Sequence, residues 1–106
     1  MLISTMNDVP GYRIDEVLGE VFGLTVRSRH VGSQIGAALK SVAGGELKGL
    51  TKNLEASRVE ALNRLIAAAE AKGADTIVGM RFDTTEIGGT GNEVCAYGTA
   101  CRTTKM

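Results

Sequence analysis

The stretch Gly44–Cys101, GGELKGLTKNLEASRVEALNRLIAAAEAKGADTIVGMRFDTTEIGGTGNEVCAYGTAC, decides the fold. It reads as a helix punctuated by glycines and followed by two strands that are apolar on both faces. A half-buried strand alternates apolar and polar residues, whereas near-continuous apolar content implies cover on both sides of a sheet. The pattern therefore points to a subunit. Thr51 is the expected N-cap of a helix running to Lys72, with Gly73 stopping it in the usual C-terminal position. Leu54, Ala61, Leu62, Leu65 and Ala69 form its apolar stripe, with Ile66 at the edge. Glu60 and Arg64 form an i,i+4 pair on the outer side. Thr76–Phe82 reads as a strand, residues 88–92 as a hairpin loop, and Glu93–Thr103 as the last strand. Small residues at Ala96, Gly98 and Ala100 let a helix lie close, so that face is assigned to the helices. The face of Cys95, Tyr97, Thr99 and Cys101 is assigned to a neighbour.

Working outward, Met1–Ser4 is a short apolar run fit for an edge strand, and Pro10-Gly11 marks a turn. Arg13–Arg27 is rich in strand formers, and neither of its faces is clearly solvated. Gly19 and Gly23 inside it signal a bulge or a close approach by another backbone. Between Val31 and Ala43, Ile35, Leu39 and Val42 recur at helical spacing, and Gly44-Gly45 ends that helix. The order strand, helices, strand, strand gives an α+β fold in one domain, residues 1–106. This is a βαββ two-layer subunit whose antiparallel sheet has order 1-3-2, with two helices on one face. Its bare face calls for a partner copy, because large exposed apolar patches are rare on monomers.

Composition narrows the function classes. Twelve basic residues balance twelve acidic ones in 106 residues, so no global field recruits polyphosphate or an anionic membrane. Nucleic acid and membrane are not expected partners, and only four residues are aromatic, too few for a stacking platform on single strands. The N-terminal residues lack a basic and apolar leader pattern, which makes the cytoplasm the expected location. Two cysteines do not make a disulfide framework and should remain thiols there.

Candidate chemistry is sparse. Arg58 falls near the middle of the long helix's apolar stripe, where a guanidinium must find acceptors. Glu20, Asp83, Glu86 and Glu93 are the carboxylates placed to serve it. The pairing reads either as a structural salt bridge or as an anion-binding pocket. Cys95 and Cys101, with the single His30, are the candidate ligands for a divalent or heavy metal. Both cysteines point to one side of the last strand, but six residues at ~3.3 Å each separate them by about 20 Å. A shared ion would need both sulfurs about 2.3 Å away, so a straight strand cannot supply both. The glycine clusters lack the Lys-Ser/Thr or GxGxxG context of phosphate loops. No Ser-His-Asp spacing is present. Three roles stay open: a metal- or small-ligand-binding subunit, an enzyme using Arg58 with Asp83, Glu86 or Glu93, and a scaffold.

The segments Ile3-Ser4-Thr5, Pro10-Gly11-Tyr12, Val17-Leu18-Gly19, Gly44-Gly45-Glu46-Leu47, Gly73-Ala74-Asp75-Thr76-Ile77-Val78-Gly79 and Ala96-Tyr97-Gly98-Thr99-Ala100 resemble the YbjQ-like bacterial proteins. The likeness spans nearly the whole chain. It implies a dodecin-like subunit in a closed ring, a homopentamer, and it carries the family's heavy-metal-binding label. Arg58 falls where the family also tends to carry an Arg. Cys95 stands where the family commonly has an aliphatic residue, and Leu50 where it often has an aromatic one.

Overall fold

The computed structural model describes residues 1–28, 48–87 and 91–106. The elements are β1 (Leu2–Ile3), β2 (Tyr12–Ser28), α1 (Lys48–Ala71), β3 (Thr76–Ile87) and β4 (Gly91–Lys105). The helix expected at residues 31–43 lies outside the described residues, as does His30.

The long strands follow from their β-branched and aromatic content. β4 pairs antiparallel with both β2 and β3, which makes β2 and β3 parallel to each other. The expected antiparallel sheet of order 1-3-2 is enlarged to a mixed four-stranded sheet, order β1-β3-β4-β2. The fourth strand arises because Leu2 and Ile3 pair in parallel with Thr76 and Ile77. A two-residue strand carries too little periodicity to reveal its partner.

Among the described residues one helix covers one face of the sheet. Ala61, Leu65 and Ala69 of α1 pack with Val21, Ile77, Val94, Ala96 and Ala100 into the core. The small residues of β4 therefore face the helix, as the residue sizes required. Both glycines singled out in β2 have a structural cause. Gly19 sits at a register shift with φ of 110°. At Gly23 the helix backbone rests on the strand, and a Cβ there would lie 2.3 Å from both the Ala61 carbonyl oxygen and the Leu65 nitrogen.

The helix begins at Lys48, so Thr51 is inside it and is not its cap. Thr costs at most about 0.7 kcal/mol in a helix interior, less than a further hydrogen-bonded turn returns. At the other end Gly73 adopts φ of 80°. There the Gly73 N–H donates to the Glu70 carbonyl (2.9 Å) and the Ala74 N–H to that of Ala69 (3.1 Å), the paired bonds of a Schellman stop. Leu54, placed in the apolar stripe by periodicity, is largely exposed. From Thr51 on, the first fully buried position of α1 is Ser57. None of the described helices is long and apolar enough to cross a membrane.

Candidate functional site on the open sheet face

Residues directly opposite one another in antiparallel strands share a face. The pairings Phe22↔Tyr97, Leu24↔Cys95 and Val26↔Glu93 on one side of β4, with Arg81↔Tyr97, Asp83↔Cys95 and Thr85↔Glu93 on the other, define three rows. All lie on the side away from α1, because the alternate positions Gly23 and Ala96 are the ones under the helix. Val17 (65% exposed), Phe22 (58%), Val26 (60%) and Tyr97 (43%) make this open face apolar and bare. It is the face that residue size assigned to a neighbour.

Cys95 lies in the middle row, between Leu24 and Asp83, with Glu93 one row away. Burial pushes its thiol up, and the charges of Glu93 and Asp83 push it the same way. Cys101 is fully buried at the other end of β4, opposite Val17 and Thr76. Burial raises its thiol as well, with a contribution from Asp75. Since β4 runs unbroken through both, the cysteines are not brought together. Among the described residues no three His, Cys, Asp or Glu side chains converge to hold a metal ion. Thiolate is the form that binds a soft metal, and burial of both thiols opposes that form in the metal-free chain. The described donors of a single chain do not fit a heavy-metal centre.

Arg58 differs from the sequence expectation. Its side chain is exposed, with the guanidinium carbon 5.0 Å from the centre of the Phe82 ring. Phe82 pairs with Ala96, so Arg58 lies on the helix side. Arg58 stands at the rim of the core, over a half-buried ring and open to water, where a cation over a ring is favourable. Glu20, opposite Thr99, lies on the open face with Asp83 and Glu93. Glu86, opposite Asn92, is on the helix side. The sheet thus separates Arg58 from Glu20, Asp83 and Glu93 within one chain.

The expected Glu60–Arg64 pair forms at 2.6 Å. Three polar arrangements escaped the sequence reading, the first being the bond that Arg64 also donates to the Leu24 carbonyl at 2.5 Å. Asp75 accepts from the Thr76 hydroxyl (2.9 Å) and from the Thr103 N–H (3.0 Å) and hydroxyl (3.3 Å), tying the start of β3 to the end of β4. Burial raises its carboxyl, but these bonds and the charge of Arg102 outweigh that and leave it lowered. Asp15 accepts from Thr104 and from Arg13, and those bonds lower its carboxyl. The flank of α1 carrying Lys52, Val59, Asn63 and Ala67 lines a groove of about 620 Å³.

A family model described as “Putative heavy-metal-binding” (YbjQ) matches residues 1–104. A UPF0145 protein of Mycobacteroides abscessus is 65% identical over 100 residues, 94% of each chain. UPF0145 protein SCO3412 of Streptomyces coelicolor is 63% identical over 100 residues, again 94% of each chain. A UPF0145 protein of Thermotoga petrophila is 46% identical over 106 residues, all of both chains. Among solved structures, a Pediococcus pentosaceus protein of unknown function in the DUF74 family aligns with a TM-score of 0.51. It is 19% identical, and the match covers 100% of this chain and 98% of that one, which bears on the fold alone.

Proposed function

We propose that this chain, which belongs to the YbjQ-like family, is the subunit of a closed homo-oligomeric ring, pentameric as the resemblance implies, acting in the cytoplasm as a binding scaffold. One observation carries the reading: the open sheet face leaves Val17, Phe22, Val26 and Tyr97 exposed. Exposed apolar surface of this kind marks an association site. The balanced charge offers no field for a nucleic acid or a membrane, and a second copy is the occupant that the family resemblance implies.

A ligand role belongs to the contacts between copies. Cys95, Asp83 and Glu93 share the open face, and the positive charge of a cation held there would outweigh the carboxylates and lower the thiol that they now raise. One chain supplies too few donors, so such a site needs donors from a second copy. Native mass spectrometry of protein purified from its own cells without affinity chelation, with elemental analysis of the same sample, tests both parts. A multimer with a stoichiometric metal supports the full reading. A metal-free multimer leaves a scaffold, and a monomer removes the assembly on which the reading rests.

A further inference from the structure

Among the described residues, both outer edges of the sheet lack a strand partner over the same stretch of its length. Along β3, the Ile77 carbonyl bonds the Ser4 N–H (2.8 Å) and the Met80 N–H bonds the Ser4 carbonyl (3.1 Å), so those groups face β1. Backbone direction alternates along a strand. Arg81, Asp83 and Thr85 therefore turn toward β4, while Phe82, Thr84 and Glu86 turn outward, beyond the last bond to the β1 segment. The same alternation carries across β4. Tyr97, Cys95 and Glu93 turn toward β3, and their partners Phe22, Leu24 and Val26 turn their N–H and C=O groups out of the β2 side. The bond from exposed Arg64 to the Leu24 carbonyl agrees with that direction.

Natural sheets protect such edges with Pro, Lys, bulges or short length. Glu20–Val26 of β2 has no Pro or Lys, its bulges lie before it, and its only charge is Glu20. We propose that the sheet continues from copy to copy, the free edge of β2 (Glu20–Val26) pairing with the free edge of β3 (Phe82–Ile87) of a second copy. This rests on the homo-oligomeric reading above and specifies its contact.

Three features select this occupant. The two edges are level, since the rows run Phe22–Tyr97–Arg81, Leu24–Cys95–Asp83 and Val26–Glu93–Thr85. A level join needs no translation along the strands, and a repeated pure rotation closes a ring where a stagger would grow a filament. The cover is complementary, because α1 packs over β2 and β4 and touches β3 little. The helix side of an incoming β3, with half-buried Phe82, would come under the flank of α1 that overhangs β2. The charges also suit: the β3 edge carries Asp83 and Glu86 without a cation, and Arg64 stands at the β2 edge. Each Leu24 carbonyl keeps a second lone pair for the incoming strand. The join aligns open faces along one wall of the ring and sets Asp83 of the second copy in the row of Cys95.

Amide-resolved hydrogen exchange on the assembled wild-type protein tests this. Val21, Gly23 and Thr25 bond to β4 in any case and serve as internal references. Protection of Phe22, Leu24 and Val26, and of Phe82, Thr84 and Glu86, to the same order as the references is the expected result. Leu24→Pro deletes an outward N–H and no bond of the β2–β4 ladder, so it should abolish the multimer while circular dichroism persists. A multimer whose six outward amides exchange freely overturns the edge contact and leaves the homo-oligomer standing. Protection at β2 with free exchange at Thr84 and Glu86 overturns the choice of β3. A wild-type monomer overturns both the contact and the reading beneath it.

Discussion

Gly23 is the residue on which the helix and sheet layers meet. A methyl group there would contact helix backbone at 2.3 Å, and backbone cannot swing aside as a side chain can. Gly23→Ala should therefore cost about 3 kcal/mol, the upper end of ordinary overpacking, as read by chemical denaturation. The thiols give a second residue-scale expectation. With both raised above the ordinary 9.0 by burial and neighbouring carboxylates, a thiol reagent at pH 7 should modify Cys95 slowly and Cys101 only on unfolding. Fast labelling of either in the folded protein would contradict that electrostatic picture. Asp15 and Asp75 have lowered folded-state values, so their contribution is present above the ordinary 3.8 and is lost as pH falls through the lower folded value. The thermal midpoint should hold from neutrality to about pH 4 and fall below it. Asp75→Asn should flatten that acid limb.

Elements show what can be read from local pattern. Gly19 and Gly23 were legible as a bulge or a close approach because a strand glycine without a turn context has few other uses, and the structure gives the bulge to Gly19 and the close approach to Gly23. The Glu60–Arg64 pair was legible from helical spacing, whereas its extension to the Leu24 carbonyl joins residues 40 apart in sequence. Arg58 was misplaced for a related reason. Periodicity fixes an angle around the helix and says nothing about where the sheet ends beneath it. Asp75 and Thr103 meet only once β3 and β4 are paired, so no local signal announced them. The assignment of one face of β4 to the helix succeeded because Ala96, Gly98 and Ala100 differ in size from Cys95 and Tyr97, a contrast that survives without knowledge of partners.

For the whole molecule, the principal extents of 52 × 28 × 16 Å describe a thin slab. Among the described residues one sheet and one helix form two layers, and Val17, Phe22, Val26 and Tyr97 are exposed on the second face of the sheet. Much of this was visible in the apolar content of both strand faces, and among the described residues no three metal-ligating side chains converge. The central claim is that the open face and edges of the sheet are covered by further copies of the chain. Sedimentation velocity over a range of concentrations, on wild type and Phe22→Lys, tests it most directly. The account predicts one closed species several times the 11.1 kDa chain mass for wild type, and a folded monomer for the variant. A wild-type protein sedimenting as an 11.1 kDa monomer at every concentration would contradict it.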